Sequence, residues 1–563
     1  MAGVFFGPTL RRAFASLLVL LALGASAAAG PSPPPTALLV PLDDRPSTRL
    51  FPEQVARIGG GELRIPPRFL LGRARHPGDP ARLGAWMRSA APGVERAVVS
   101  TDMIAYGGLV ASRAAQTSLE EALGRLEALD ELHRAGVPVV AFAILPRLAL
   151  RTSDEEAPFE TALARWAASG SPDPPAGVPA PLVEEYRAVR RRNLEVLKAL
   201  VERVADGTLE TLVLGQDDSA PRGPHVEEQR LLQDRVRERG LQDRVCLVSG
   251  ADELAMNLVA GWLARRAGVR PLFEVRYSEP DAGSRIPPLE SRSLDETMDA
   301  HLALSGAARG AGRGPILLVE VPAAKPFEPP ALEPGPEDLE RAAALGRRLE
   351  EARATGRPVA VADLRLVNRA DPVLARELLD RIPLWDLEAY AAWNTPSNAL
   401  GTALAQAVVH QVARARGRAW PGGRVLESEK TQQAFTLARL VDDYAYQALI
   451  RPTLGEAVRG LPDNPDPLLN LYGPAGVQAR LEAVAWARGV WKRLLEGRRY
   501  PVPALGREVR LQAMNLEVLL PWPRIFEVEV RLDLRLVPLP AGPPSAGRSG
   551  EGVLPSGREP GAP

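Results

Sequence analysis

Thr211-Leu212-Val213-Leu214 is a short apolar run that stops at once in Gly215-Gln216-Asp217-Asp218-Ser219-Ala220-Pro221. A brief aliphatic and β-branched run closed by turn formers reads as a strand buried on both faces, as in a parallel sheet. The same phrase recurs along the chain, at 37–42, 62–65, 97–100, 137–144, 245–248, 272–277, 316–321, 359–362 and 384–387. The stretches between are long enough for crossover helices. Helix punctuation agrees. Ser118-Leu119-Glu120-Glu121 and Ser293-Leu294-Asp295-Glu296 have the spacing of capping boxes. Thr395-Pro396 reads as an N-cap with proline in the first turn, and Gly136 as a helix stop.

Ten strands exceed a plain eight-stranded barrel. The expected architecture is α/β, with parallel sheets in two Rossmann-like lobes over 37–270 and 271–417; an elaborated TIM-type barrel is the alternative. After Gly417 the pattern changes. Residues 418–537 read as an accessory region, helical at 431–450 and 475–495 and β-forming within 508–536. Residues 538–563 are rich in Pro, Gly and Ser and read as a disordered tail.

The amino terminus reads as a processing segment. Arg11-Arg12 precedes an apolar stretch at 13–23, and Ala25-Ser26-Ala27-Ala28-Ala29 offers a small-residue cleavage site, so 1–29 is the expected signal peptide. The expected location is secreted or periplasmic, with no membrane association after cleavage. Lys+Arg and Asp+Glu are equal at 69 each. With no basic patch, a nucleic-acid partner is not expected. Cys246 stands alone in the sequence, which excludes an internal disulfide and suits a small buried hydrophobe. The five histidines are scattered, with no H-E-x-x-H and no cysteine pair for zinc. No G-x-S-x-G elbow, P-loop or G-x-G-x-x-G after a strand appears.

Ligands of parallel sheets bind beyond the carboxyl ends of the strands, and polar residues gather there repeatedly. Leu42-Asp43-Asp44-Arg45-Pro46 follows the first run. Adjacent side chains on extended chain point opposite ways, so one Asp faces the cleft and the other turns back. Asp102 follows the third run and leads to Tyr106, Gly107-Gly108, Ser112 and Arg113. Asp217 and Asp218 follow the run at 211–214, with Gln216 beside them. Close carboxylates push their pKa values apart, so one can serve as acid while the other stays ionised. Gly250-Ala251-Asp252-Glu253 opens a helix. In the second half, Tyr390 and Trp393 offer stacking faces, and Asn394 and Asn398 offer amides.

These segments together resemble a bacterial family of exported proteins known as a domain of unknown function, numbered four-one-two-seven. The resemblance is carried by Pro41–Pro46, Asp102–Arg113, Gly215–Pro221, Gly250–Glu253, Trp393–Thr402 and Leu520–Glu527, and covers about 37–527. It implies a shared architecture and no reaction. One departure is Ala392, where a smaller residue, often Gly, is expected before Trp393.

The expected function is an exported carboxylate-dependent hydrolase, a glycoside hydrolase acting on a polar saccharide. Its candidate catalytic residues are Asp102, Asp217, Asp218, Asp44 and Glu253. Substrate contacts are expected from Asp43, Arg45, Tyr106, Arg113, Gln216, Trp393, Asn394 and Asn398. No cofactor is required by this reading. One alternative is a divalent-metal hydrolase with oxygen ligands from Asp44, Asp102, Asp217 and Asp218. The other is a two-lobed protein that closes on a polar ligand without turnover.

Overall fold

The computed structural model describes residues 33–150, 157–328, 334–458, 474–522 and 524–540. The expected signal peptide and residues 541–563 of the expected disordered tail lie outside these. Six apolar runs form one parallel sheet: β1 (Thr36–Val40), β2 (Glu62–Arg64), β3 (Arg96–Ser100), β4 (Val139–Leu145), β5 (Thr211–Gln216) and β6 (Val245–Ser249). Its order is β2-β1-β3-β4-β5-β6. Five more form a second parallel sheet: β7 (Leu272–Tyr277), β8 (Ala308–Arg309), β9 (Ile316–Glu320), β10 (Val359–Asp363) and β11 (Leu387–Ala391). Its order is β11-β10-β9-β7-β8. Both are open sheets, so the barrel alternative falls. Each begins inside and winds outward both ways, reversing between β1 and β3 and between β7 and β9. Such reversals leave a crevice at the carboxyl ends of the flanking strands.

Two strand expectations are corrected. The run at 384–387 is not a strand: Leu384–Asp386 is a 3₁₀ turn behind Pro383, and the strand follows at Leu387–Ala391. Strand β8 is two residues long and carries no pattern to read. Both capping boxes form. Gly136 takes the left-handed φ of +76°. Thr395 does precede the helix Pro396–Arg416, but its hydroxyl accepts from Asn398 and pairs with Ser397 instead of capping.

The two sheets share one helical layer. The helices Leu254–Ala267 and Pro396–Arg416 pack on each other between them. Both are apolar nearly all round, and every residue from Leu254 to Ala264 is buried. Helices of that kind belong inside a core, not on its surface. Inward residues of the first sheet (Leu39, Val98, Phe142, Val213) and of the second (Leu317, Val319, Ala360, Ala389) join these helices in one cluster. Each buried Leu or Val contributes about 1.5–3 kcal/mol relative to exposure, so separating the sheets is costly. The outer face of the first sheet is covered by helices such as Ala180–Ala205, and that of the second by helices such as Pro336–Ala354.

The expected helix at 431–450 belongs to a longer one that starts at Gly422 and continues through Leu440–Ile450 as a π-helix. The carboxyl-terminal strands β12 (Arg499–Val502), β13 (Arg507–Leu519) and β14 (Glu529–Pro538) form an antiparallel sheet, against which the helix Gly422–Arg439 packs. Cys246 is only partly buried, with its thiol pushed up to about 11, chiefly by burial.

Candidate active site at the strand ends

The β1–β3 reversal puts Asp43, Asp44 and Arg45 on one side of the crevice and Asp102 on the other. The two adjacent acids do point different ways. The Asp43 carboxylate accepts from the Arg45 backbone N–H at 3.0 Å, from Arg45 Nε at 2.9 Å and from the Thr48 hydroxyl at 2.8 Å. Asp44 turns to the carboxyl-terminal segment and accepts from Trp522 Nε1 at 2.6 Å. Burial lifts its carboxyl to about 6, although the indole N–H opposes the rise.

Arg45 links β1 to β6. Its two terminal nitrogens fork onto Asp252 at 2.9 and 2.7 Å. Burial lifts Asp252 to about 6 against the pull of Arg45, so the pair is ionised at neutral pH. Asn394, beyond β11, donates to the same carboxylate at 3.3 Å, which ties the ends of the two sheets together. Asn394 has a φ of +75°. The preceding residues are held by Asp443, which accepts from the Ala392 N–H at 2.8 Å and is itself bound to Arg439. The hollow among Ser47, Asp252, Trp393, Asn398 and Arg439 is about 10 Å³, room for one water at most.

Asp102 lies in the first turn of the helix Thr101–Tyr106 and accepts from the Ile144 N–H at 2.9 Å, joining β3 to β4. Burial raises it to about 7. At the β5 end, Arg113 donates to Asp217 at 2.6 Å, and Asp217 accepts from the Asp218 N–H at 2.9 Å. Asp218 pairs with Arg147 at 2.5 Å. Burial drives Asp217 upward, but Arg113 and Arg147 outweigh it and hold the carboxyl below the usual range. Asp218 rises instead: burial leads, Arg147 opposes and the charge of Asp217 adds to it. The two adjacent acids therefore shift in opposite directions, Asp217 down and Asp218 up. Access separates Asp218 from the other acids. Its side chain is 22% exposed and Arg147 32%, against 11% for Asp217. Asp44 and Asp102 are buried.

The remaining candidates sit deeper. Glu253 is fully buried, accepts from the Ala251 N–H at 3.1 Å and meets His301 Nε2 at 2.8 Å. It ties the start of the helix Leu254–Ala267 to the helix Leu294–Leu304. Gly250 allows this, since a Cβ there, at φ +106°, would lie 1.7 Å from Glu253 Oε1. Gln216 is buried, donating to the Asp217 carbonyl at 2.8 Å and accepting from Gln229. Tyr106 is buried under the Arg192 guanidinium, 4.6 Å from its ring centre. Trp393 is buried with its ring 5.7 Å from Phe526, and Tyr390 is fully buried, so neither offers an open stacking face. Asn398 is buried beside Thr395.

Residues not anticipated are Arg147, Asp252 as the partner of Arg45, His301 and the Trp522–Glu527 cover. Arg147 follows β4, where the strand-end rule points. Trp522 stacks under Arg45 at 5.2 Å and Arg524 at 4.6 Å, closing the rim from the carboxyl-terminal side. The metal alternative loses its ligand set. Asp217 and Asp218 face arginines, Asp44 an indole and Asp102 a backbone N–H. Among the described residues no group of three or more His, Cys, Asp or Glu is placed to hold a metal ion.

Fold and site together define an α/β protein of two parallel sheets around one helical layer, with an acid–arginine rim at the strand ends. The chain belongs to the family described as protein of unknown function (DUF4127), whose model matches residues 37–531. No curated protein matches it. Among solved structures it is similar to Dispersin B, at 10% identity over 67% of this chain and 99% of that one, with a TM-score of 0.16.

Proposed function

We propose that the protein is an exported hydrolase that uses carboxylates, acting on the glycosidic bond of a polar saccharide, with Asp218 as the proton donor. The observation that carries this reading is the division of the adjacent pair at the β5 end. Arg113 and Arg147 hold Asp217 below the usual carboxylate range against the lift of burial, while burial and the charge of Asp217 raise Asp218, the more exposed of the two. Hydrolysis needs one group to protonate the departing oxygen and another to take the proton from water. Asp218 supplies the first and Asp217 the second. The carbon–oxygen bond to the leaving group breaks, the Asp218 proton moves to that oxygen, and water adds to the sugar carbon as its proton passes to Asp217. Arg113 and Arg147 hold the pair and face a polar substrate. Asp102, with a carboxyl near neutrality, lies within electrostatic reach of Asp217 and Arg113.

The test is hydrolysis of a panel of polysaccharides and aryl glycosides by the wild type and by Asp218→Asn and Asp102→Asn. General-acid loss lowers turnover by about 10²–10⁴-fold, most for poor leaving groups. Full activity in both variants on every glycan that the wild type cleaves would overturn the reading.

A further inference from the structure

The crossover between β4 and β5 builds a groove that the rim chemistry leaves unused. Its volume is about 510 Å³, within the range of small-ligand sites. Three helices wall it: Glu160–Ser169, Ala180–Ala205 and the start of Pro224–Glu238. Its aromatic side is Trp166 against the edge of Tyr186, ring centres 5.8 Å apart. Trp166 Nε1 is buried and, among the described residues, has no hydrogen-bond partner.

The charge is one-sided. Arg187, Arg190, Arg191 and Arg222 line the groove, with Glu228 as the acid. Arg190 is spent on Glu228, through two bonds of 2.7 Å. Arg187 pairs with Glu184 and lies 5.3 Å over the Trp166 ring. Arg191 and Arg222 are exposed and, among the described residues, have no ion-pair partner. Guanidinium groups fork onto carboxylates, and an indole offers an apolar face to a sugar ring. Unpaired like charges gathered in one hollow repel one another, and an anion there removes that cost.

Two residues that line the groove are tied by hydrogen bonds to the segment that carries Arg147, the partner of Asp218. Arg190 donates to the Arg147 carbonyl at 2.9 Å, and Tyr186 donates to the Leu148 carbonyl at 3.0 Å. The Leu148 N–H donates to the Asp218 carbonyl at 3.2 Å. Residues 146–148 present the Arg147 side chain to Asp218 and their carbonyls to Arg190 and Tyr186 of the groove.

We propose that this groove is a binding subsite for a carboxylate-bearing sugar, so that the substrate is a uronate-containing glycan gripped by Arg191 and Arg222. This inference rests on the hydrolase reading for its substrate, but binding can be measured apart from turnover. The experiment is calorimetry on the full chain carrying Asp218→Asn, titrated with an oligogalacturonate and with a neutral malto-oligosaccharide of equal length. The acidic oligomer binds, and binding weakens with added salt. Arg191→Ala with Arg222→Ala weakens it roughly tenfold per arginine, the scale of one charge-assisted hydrogen bond, without lowering the unfolding midpoint. The neutral oligomer binds far more weakly, and the double substitution leaves that unchanged. Absence of acidic binding, equal binding of both oligomers, or indifference to the double substitution overturns the subsite. An acidic oligomer that binds through these arginines but is never hydrolysed by the wild type overturns the hydrolase reading and leaves the subsite. Hydrolysis with binding indifferent to them does the reverse.

Discussion

Arg45→Met removes a cation that joins the ends of β1 and β6. The guanidinium is buried, forks onto Asp252 at 2.7 and 2.9 Å and bridges Asp43 at 2.7 Å. Its loss leaves two buried carboxylates without their counter-ion. Removing one partner from a buried pair costs about 3–5 kcal/mol, and the shared Asp43 places this case at the upper end. The cost depends on pH with a definite sign. Burial raises Asp252 from 3.8 to about 6 even with Arg45 present. The native state therefore binds more protons than the unfolded chain between those values, and this carboxyl's contribution to stability falls as pH rises through them. Without Arg45 the native value climbs further, the window widens upward, and the variant is hurt most at neutral pH. Urea unfolding of wild type and variant at about pH 5 and about pH 7.5 measures this. The expected penalty is several kcal/mol at the higher pH and clearly smaller at the lower. A penalty below about 1 kcal/mol, or one equal at both pH values, refutes the reasoning.

Gly250→Ala meets Glu253 Oε1 and a φ of +106°; a loss of about 2–4 kcal/mol is expected from strain and displacement together, read as a lowered thermal midpoint. Glu253→Gln weakens a fully buried contact to His301. It is expected to destabilise by about 3 kcal/mol or more while the turnover of folded protein stays within twofold of wild type; a large loss of turnover at normal stability returns Glu253 to the catalytic set. Trp522→Phe removes the N–H that holds Asp44 down. The Asp44 carboxyl is expected to move above about 6, and stability at neutral pH to fall by about 1–3 kcal/mol, checked by urea unfolding across pH.

Much of the fold was legible in the sequence because buried parallel strands leave a strong mark. The runs at 211–214 and 359–362 are short, apolar and closed by acids. What went unread has physical reasons. The join between the sheets rests on the helices Leu254–Ala267 and Pro396–Arg416, whose all-round apolar faces mark them as core helices but do not say which sheets they join. At 384–387 the apolar Leu384-Trp385 pair imitated a strand, while the true one, Leu387–Ala391, contains Glu388, buried against His410 and Arg414. The strand-end position of the acids was legible because the strand-end rule is general. Their partners were not, since Arg45–Asp252 and Asp44–Trp522 span 207 and 478 residues. Spacing along the chain could not reveal that Glu253 is sealed and Asp218 accessible.

The proposed general acid is Asp218, raised by burial and opposed by Arg147. The direct measurement is the alkaline limb of kcat/KM against pH, on a glycan that the wild type cleaves, for wild type and Arg147→Gln. Removing the cation takes away the main force that lowers Asp218, so the limb is predicted to move to higher pH. A limb that stays in place, or moves to lower pH, contradicts the account.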